Sequence, residues 1–322
     1  MARIGRHVTR LSGYAPALPT PFTEEGAIDG PAFERLCDLQ IAAGAAALVV
    51  GGTTGEASTL TTQEHAELIR IAVARSQGCV PIIAGAGGNA PAHAIELTRS
   101  AEAAGSDAIL SVVPYYNRPT QAGLHAHFRA IAESTDLPII LYDAPSRTGC
   151  SLADETVARL AELLRVIGLK DATGDATRPA RLRPLVGTHF RLLCGDDALT
   201  LAYVAQGGDG CISVTSNVAP GMCRSMFLAW KHGESVRAQR LARPIAQLTA
   251  ALCRESGPVP LKYALALLGL MSPRVRLSLV ELSSQYRAEV GALLLRLCDE
   301  YSEHMIGRAG GTSDAVSRLA AG

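Results

Sequence analysis

The sequence predicts an α/β fold, a parallel (β/α)8 (TIM) barrel followed by a small C-terminal helical domain. Eight short apolar runs recur before Gly233, each followed by a turn rich in Gly, Asp, Thr or Pro, with helix-period stretches between them. Most runs are continuous rather than alternating, which is typical of parallel strands covered on both faces. The competing fold, a doubly wound sheet, usually has fewer strands, so eight repeats favour the barrel.

The eight runs mark the predicted strands in chain order. They lie at 14–19, 46–52, 80–85, 107–113, 138–143, 166–170, 190–195 and 210–215. The clearest helical stretches between them lie at 31–43, 62–77, 90–104, 121–134, 153–163 and 198–206. In this fold the active site lies in the loops at the carboxyl ends of the strands, so those loops are the places to search for function.

After Gly233 the strand signals stop, and the chain becomes rich in Leu, Ala and Arg at helical spacing. The Gly257-Pro258 pair breaks this stretch into at least two helices. We therefore expect a catalytic barrel over 1–233 and a helical domain over 234–306. The remaining segment, 307–322, has little to pack and is expected to be a mobile tail.

Composition excludes several classes of function. The formal net charge is zero, no long basic run occurs, and aromatic residues make up 4% of the chain, which argues against nucleic acid or an anionic membrane as partner. The eight cysteines include no CxxC pair, so they predict neither a zinc site nor disulfides. They are typical of a protein in a reducing compartment. No apolar run is long enough to span a membrane. The basic start MARIGRHVTRL lacks the apolar core of a secretory signal, so we expect a cytoplasmic protein, with a short transit peptide as the less favoured alternative.

Lysine is rare in this chain, which has 30 basic residues but only three lysines: Lys170, Lys231 and Lys262. Lys170 ends the sixth apolar run, in RVIGLKDATGD. A lysine amine can lose its proton and attack a ketone, whereas arginine stays charged, and desolvation by apolar strands favours that loss. Lys170 is therefore the candidate Schiff-base residue. The alternative is a lysine that caps carbonyls at the barrel rim.

Tyr142 ends the fifth run, in LYDAPSRTG, and neighbouring strands would place it beside Lys170 at the same rim. A tyrosine can relay protons there. Arg147, in the loop beyond, offers two parallel hydrogen bonds to a substrate carboxylate, and a surface salt bridge is its alternative role. Strand alternation predicts that Asp171 faces away from Lys170.

Two glycine-rich loops follow the second and third strands. GGTTGEAS contains no lysine, so it is not a nucleotide P-loop, and its N–H groups with Thr53 and Thr54 suit a small anion such as a carboxylate. An ordinary strand-to-helix turn is an equally good interpretation of that loop. GAGGNA matches a dinucleotide fingerprint only weakly and in the wrong βα unit, so we interpret it as a turn. PYYNRP, after the fourth strand, displays two tyrosines for function or for interface packing.

Together these motifs resemble the N-acetylneuraminate lyase/dihydrodipicolinate synthase superfamily of class I aldolases, and within it the dihydrodipicolinate synthase branch. The resemblance runs from about Leu11 to residue 300. It rests on five stretches of the sequence: GTTGEAS, PYYNRPTQAGLHAHF, LYDAPSRTG, IGLKDATGD, and CGDDALTL followed by GCISVTSN.

The resemblance implies roles for the matching positions. Lys170 would form the Schiff base with pyruvate, and Tyr142 would shuttle protons through Thr53 to Tyr116 of a neighbouring subunit. The pyruvate carboxylate would bind Thr54 and the backbone around Ile212, with Gly195 also at the substrate site. Arg147 would receive the carboxylate of aspartate semialdehyde, the second substrate. The resemblance further implies a homotetramer, no metal or organic cofactor, and a product that feeds lysine and diaminopimelate synthesis.

The chain departs from this family at two places. Asp143 stands where an Asn is common, and alternation turns it away from Tyr142, so we expect altered packing rather than lost activity. The second departure is in the pocket that binds lysine in feedback-inhibited relatives, where a glutamate grips the ligand's amino group. The residues at the corresponding positions here are Ala57, His65, Asn89, His93 and Tyr115, of which His65, Asn89 and Tyr115 match the family. His93 replaces that glutamate, Ala57 replaces a serine and Thr62 a histidine, which predicts weak or absent lysine feedback.

Two other functions stay open at this point. One is a different pyruvate-dependent aldolase or dehydratase, acting on sialic acid or on a keto-deoxy sugar acid. The other is a catalytically silent barrel that serves as a regulator or binding module. Arg147 favours a small substrate with its own carboxylate over a polyol. The reactive set of Lys170, Tyr142 and Thr53 argues against a silent barrel.

Overall fold

The computed structural model describes Val8 and residues 11–306, and it confirms the predicted (β/α)8 barrel. Eight parallel strands form one sheet. β1 pairs with β8, and from β2 to β7 each strand pairs with the one that follows it in the chain. The strands are Gly13–Pro16 (β1), Leu48–Val50 (β2), Ile82–Gly85 (β3), Ala108–Val112 (β4), Ile139–Asp143 (β5), Val166–Asp171 (β6), Arg191–Cys194 (β7) and Gly210–Ser213 (β8). A single bridge between Ala17 and Val49 joins β1 to β2, so the sheet closes on itself.

Helices separate the strands as the sequence predicts. In the barrel they are Gly30–Ala42 (α1), Thr62–Ser76 (α2), Pro91–Ala103 (α3), Gln121–Ala132 (α4), Pro145–Thr148 (α5), Asp154–Ala161 (α6), Arg178–Val186 (α7), Thr200–Ala205 (α8) and Pro220–Lys231 (α9). Starts and stops follow from local chemistry: Thr61 and Glu64 form a capping box at α2, and Pro occupies the first turn of α1, α3 and α9. Of the described helices, none is both long and apolar enough to cross a membrane.

The barrel interior is filled by side chains rather than left as a pore. Its buried apolar members include Ala15, Ala17, Ala47, Val49, Ile83, Ala108, Leu110, Ile140, Tyr142, Leu193 and Ile212. Ile167 of β6 packs against them and is partly buried. A second and larger core lies between the strands and the surrounding helices. Strands covered on both faces need apolar residues in succession, which explains the continuous apolar runs in the sequence.

Beyond the barrel the chain continues as three helices, Ser235–Leu252 (α10), Val259–Leu267 (α11) and Ser284–Glu300 (α12). The break between α10 and α11 contains Gly257-Pro258, where the sequence predicts one. We keep the division into a barrel over 1–233 and a helical domain over 234–306 as a proposal. The expected mobile tail, 307–322, lies outside the described residues.

Candidate active site

Lys170 and Tyr142 lie side by side at the carboxyl ends of neighbouring strands. They are register partners in the β5–β6 pair, and the Lys170 amine lies 4.2 Å from the centroid of the Tyr142 ring. Both side chains are almost fully buried, with Tyr142 in the apolar interior of the barrel. Among the described residues, no carboxylate pairs with the Lys170 amine, so no acidic neighbour competes for it. This is the arrangement that the sequence predicts for the pair.

The two residues that follow, Asp143 and Asp171, are also register partners, but their side chains face away from the barrel interior. Both contact Arg178, at the start of α7, and both are buried. The prediction that Asp171 does not pair with Lys170 is confirmed. Burial raises the pKa of Asp143, although Ser151 and Arg178 stabilise its anion.

The β2 loop, which we define as residues 51–59, carries Thr53 and Thr54. Thr53 is exposed toward a cavity, whereas Thr54 is buried. The Thr20 hydroxyl holds the loop by donating to the Gly55 carbonyl at 2.6 Å. The loop turns through Glu56, whose φ of 57° is in the left-handed region. The structure thus holds the two threonines on a fixed turn rather than on a free surface loop.

A buried ion pair anchors the β2 loop to the C-terminal helices. The Lys262 amine, on α11, binds Glu56 at 2.7 Å with both side chains buried, and it also lies over the Phe22 ring. The second Glu56 oxygen accepts the backbone N–H of Arg276 at 2.9 Å. Burial lowers the pKa of Lys262 to about 8, against the opposing attraction of Glu56, so the amine remains largely charged at neutral pH.

In the weak dinucleotide motif, GAGGNA, the glycines allow neighbouring backbone segments to lie very close to one another. A side chain on Gly85 would overlap the Gly51 carbonyl, and one on Gly87 would overlap the backbone at Val112. His65 completes this packing through its Nε2, which lies 2.8 Å from the Gly85 carbonyl oxygen. Burial lowers the pKa of His65, which favours the neutral ring. The interpretation of GAGGNA as a turn therefore fits the structure.

An open cavity of about 400 Å³ lies in front of these elements. It is lined by predicted catalytic and substrate residues together with residues of the predicted lysine pocket. The lining includes Thr53, Tyr142, Arg147, Ala57, His65, His93 and Tyr115, and also Ser58, Leu60, Thr62 and Leu97. One space thus joins the barrel mouth to the pocket that the sequence treats as a separate regulatory site.

Arg147 lines this cavity with an exposed side chain. It follows β5 on the short helix α5, which begins at Pro145. In the described part of the chain, no acidic side chain pairs with its guanidinium, so the alternative of a surface salt bridge is not what the structure contains. The guanidinium is available for a carboxylate from outside the chain.

The PYYNRP loop places its two tyrosines differently. Tyr115 is partly exposed and lines the cavity. Tyr116 is 90% exposed, has a φ of 75°, and is absent from the cavity lining that contains Tyr142. Within one chain, Tyr116 therefore presents its ring to the outside. The predicted link from Tyr142 through Thr53 to Tyr116 requires a second subunit.

The predicted lysine pocket is only partly assembled. His93 lines the cavity and is half exposed, and its Nδ1 lies 3.8 Å from the Glu96 carboxylate one turn along α3. Asn89 lines a different, smaller cavity beside Pro114 and His127. Glu96 carries no motif of its own in the sequence, and its i,i+3 spacing from His93 is the available signal for this contact.

Gly195 and Ile212 lie at the ends of β7 and β8. The Gly195 N–H donates to the Asp171 carbonyl at 2.6 Å, and a Cβ on Gly195 would lie 2.8 Å from the Cβ of Ala172. Ile212 points into the apolar interior, opposite Ala15. Gly195 thus brings its backbone close to the residues after Lys170, whereas Ile212 pairs with β1 on the other side of β8.

Two buried charged clusters were not predicted from the sequence. One is the Glu56–Lys262 pair, whose members are 206 residues apart. The other joins Asp143 and Asp171 to Arg178. No local sequence motif predicts either cluster. The only available signal was the scarcity of lysine, which marks Lys262 as well as Lys170.

Comparisons with known proteins agree with this geometry. The model of the dihydrodipicolinate synthetase family matches residues 10–297. The 4-hydroxy-tetrahydrodipicolinate synthase of Hyphomonas neptunium is 48% identical over 284 residues, which cover 88% of this chain and 97% of that protein.

Two solved structures are also similar to the whole fold. The chloride-inhibited dihydrodipicolinate synthase of Acinetobacter baumannii, complexed with pyruvate, is 40% identical with a TM-score of 0.86, and the match covers 88% of this chain and 98% of that one. The enzyme of Cyanidioschyzon merolae, solved with lysine bound, is 37% identical with a TM-score of 0.86, and the match covers 88% of this chain and 97% of that one.

Proposed function

We propose that this chain, which belongs to the dihydrodipicolinate synthetase family, is a 4-hydroxy-tetrahydrodipicolinate synthase that condenses pyruvate with L-aspartate 4-semialdehyde. The observation that carries the proposal is the buried Lys170 amine, 4.2 Å from the Tyr142 ring and without an acidic partner among the described residues. A class I aldolase needs this pair: an amine that bonds to a ketone, and a phenol that moves protons.

The first half of the reaction makes a nucleophile from pyruvate. The Lys170 amine adds to the C2 carbonyl, the oxygen leaves as water with protons passed through Tyr142, and an iminium remains. The positive nitrogen acidifies the C3 methyl, and loss of one C3 proton gives an enamine. Thr54 and the backbone near Ile212 hold the pyruvate carboxylate in this proposal.

The second half forms the carbon–carbon bond. The enamine carbon attacks the aldehyde of the semialdehyde, whose oxygen takes up a proton and becomes the 4-hydroxyl, and the iminium is restored. The amino group of the second substrate then adds to the iminium carbon and displaces Lys170. The net change is the loss of one water from the two substrates, and the lysine amine is regenerated.

Arg147 favours this second substrate over a sugar-derived aldehyde. Its guanidinium lines the cavity and, within the described residues, has no carboxylate partner. A planar guanidinium binds a carboxylate with two parallel hydrogen bonds, which a polyol does not match. A coupled assay with pyruvate plus aspartate semialdehyde, set beside pyruvate plus sugar-derived aldehydes, tests the choice. Faster turnover of a sugar-derived aldehyde would instead support a keto-deoxy sugar acid aldolase.

Borohydride trapping tests the covalent step. Pyruvate plus borohydride should convert Lys170 into its carboxyethyl derivative, located by peptide mass spectrometry. Lys170→Arg should abolish the gain in mass, while Lys231→Arg, at an exposed position on α9, serves as the matched control. A wild-type protein that gains no mass would identify a silent barrel and reject the proposal.

The proposal also covers the oligomeric state, the cellular location and the pathway of the enzyme. A homotetramer built as a dimer of dimers would bring Tyr116 of one subunit to the Tyr142 and Thr53 of its neighbour. The 90% exposure of Tyr116 supports a role in contact with another subunit. We place the enzyme in the cytoplasm and in lysine and diaminopimelate synthesis, and we assign it no cofactor.

Lysine feedback is proposed to be weak or absent. A cationic or neutral imidazole at His93 cannot replace a carboxylate that faces an ammonium group. Ala57 adds no hydroxyl, and Asn89 lines a different cavity from His93. Inhibition assays with L-lysine on wild-type protein and on His93→Glu test this, and only the variant should gain sensitivity. Inhibition of the wild type at sub-millimolar lysine would contradict this prediction.

A further inference from the structure

Behind the reacting pair lies a buried charged cluster, which we call the outer bracket: Asp143, Asp171 and Arg178. The side chains are between 0% and 4% exposed. Arg178 Nη1 lies 2.9 Å from Asp143 Oδ2 and 3.5 Å from Asp171 Oδ1. One guanidinium at the first position of α7 therefore bridges the ends of β5 and β6 on their outer face.

Each member of the bracket is held by further bonds. Asp143 accepts from the Ser151 hydroxyl at 2.7 Å and from the Leu152 N–H at 3.1 Å. Asp171 accepts from the hydroxyl and the N–H of Thr173, at 2.7 and 3.0 Å.

The rest of the guanidinium is bonded as well. Arg178 donates through Nε to Asp154 at 2.9 Å and through Nη2 to the Leu152 carbonyl. The cluster therefore has one defined geometry, in contrast to a solvated ion pair.

The place of the bracket matters because the strand ladder ends there. Tyr142 and Lys170 are register partners, and Asp143 and Asp171 are the next pair. The Ala172 N–H still donates to the Asp143 carbonyl at 2.8 Å, and beyond this bond β5 and β6 continue into separate loops. The reacting pair therefore lies one register position before the end of the β5–β6 pairing. The bracket ties the two strands together on their outer face at that end.

Stability alone is a poor reason for such a cluster. The buried Arg178 guanidinium is shared by two buried carboxylates and by the partly exposed Asp154, and burial of unbalanced charge costs more than an apolar replacement of similar volume. Burial raises the pKa of Asp143, because the charged carboxylate is less stable away from water. A group that costs stability yet fixes the geometry next to a reacting pair is typical of functional sites.

We propose that Arg178 is a positioning residue for the Schiff-base step, which holds the Lys170 amine against Tyr142 by tying Asp143 to Asp171 on the outer face. The inference rests on the proposed function. Arg178 touches no substrate and acts through the strand ends alone. Its loss should therefore slow the reaction of bound pyruvate while leaving the affinity for pyruvate nearly unchanged.

The test compares the rate of borohydride trapping across pyruvate concentrations in Arg178→Met, Arg178→Lys and Arg183→Met. Arg183 is the matched control: it lies on the same helix and is held by Asp209 and by the Gly187 and Phe190 carbonyls, away from the strand ends that carry the site. For Arg178→Met, the maximal rate should fall by roughly 100-fold, the scale of a misplacement of about 1 Å, with half-saturation by pyruvate within about twofold of wild type.

Arg178→Lys keeps the charge but not the planar fork, so it should recover part of the rate. Arg183→Met should trap at the wild-type rate after correction for folded fraction by circular dichroism. Equal rates for the Arg178→Met and Arg183→Met variants, or a change confined to half-saturation, would overturn the inference.

If Arg178→Met does not fold, the lysine variant decides: an intermediate rate supports the inference and a wild-type rate overturns it. Absence of trapping in the wild type would instead reject the proposed function itself.

Discussion

At the end of β6, two adjacent residues serve opposite faces of the barrel wall. Lys170 faces the interior beside Tyr142, and Asp171 faces outward toward Arg178. The alternation of a strand separates an amine from the carboxylate next to it in sequence, so the amine is not held as part of an ion pair. The same alternation explains why Asp143, next to Tyr142, belongs to the outer bracket and not to the reacting pair.

Replacement of Tyr142 by Phe should lower kcat by roughly 100- to 10,000-fold, the usual range for loss of a general acid/base. The Lys170 amine lies 4.2 Å from the centroid of the Tyr142 ring, and this ring packs in the apolar interior, so Phe keeps the packing. Steady-state kinetics with matched thermal denaturation check the result. Near-normal kcat in the Phe variant would remove Tyr142 from the mechanism.

Arg147→Ala should raise KM for the semialdehyde while pyruvate trapping remains normal. Loss of a hydrogen bond to a charged group costs roughly 1.5–3 kcal/mol, which corresponds to about a 10- to 150-fold change. Arg240→Ala, on the exposed side of α10, is the control. An equal effect on both substrates would mean that Arg147 shapes the cavity rather than binding one carboxylate.

At the scale of elements, the C-terminal helices hold the β2 loop in place. Lys262 on α11 binds Glu56, and Arg276 binds both Glu56 and Glu64 of α2. The guanidinium of Arg276 also lies 4.3 Å from the centroid of the Phe22 ring. These contacts tie α11 and the segment beyond it to the loop that carries Thr53 and Thr54. The helical appendage is therefore part of the support of the site.

Lys262→Met should destabilise the protein by roughly 3–5 kcal/mol, because it leaves the Glu56 carboxylate buried without its cation. Glu56→Gln combined with Lys262→Met should recover much of that loss, since the remaining groups are then neutral. Urea unfolding of the two single variants and the double variant measures the coupling. Additive losses would show that the pair is not an energetic unit.

Acid should weaken the α2 contact. Hydrogen bonds from Arg276, in spite of partial burial, lower the pKa of Glu64 from 4.5 to about 2. A carboxyl group with a depressed folded-state pKa contributes stability that is present above pH 4.5 and is lost as the pH falls toward 2. Glu64→Gln should therefore be less stable than wild type at pH 7, and the difference should shrink in that interval. Thermal denaturation from pH 7 to pH 2.5 measures it, and a constant difference would contradict this account.

At the scale of the whole molecule, the site of one chain lacks one of the residues assigned to it. Tyr116 extends from the PYYNRP loop and does not line the cavity that contains Tyr142 and Thr53. A symmetric pair of subunits that exchange this tyrosine would complete both sites. The exposure of Tyr116 thus gives a chemical reason for a two-fold pair within the proposed homotetramer.

Mixed subunits test this directly. Lys170→Arg supplies a normal Tyr116, and Tyr116→Phe supplies a normal Lys170. Each variant alone should be strongly impaired, and co-refolded mixtures should regain activity because the hybrid pair contains one complete site. Mixtures no more active than the average of the two variants would mean that Tyr116 does not complete the site of a neighbouring subunit.

Patterns along the chain are sufficient to predict the barrel architecture and the reacting pair. Eight apolar runs followed by turns predict the barrel, because strands covered on both faces must be apolar throughout. Strand order then places Tyr142 beside Lys170, because consecutive strands of such a barrel are neighbours. Local patterns also predict the break at Gly257-Pro258. These are properties of short segments, and short segments are what a sequence displays.

The support of those residues depends on packing between segments that are far apart in the chain. Glu56 and Lys262 are 206 residues apart, and the partners of Arg178 come from three separate segments. The joining of the barrel mouth to part of the predicted lysine pocket, with Asn89 in another cavity, is likewise a fact of packing. Such clusters form because buried charges must find partners wherever the fold brings them, and no periodicity along the chain records that choice.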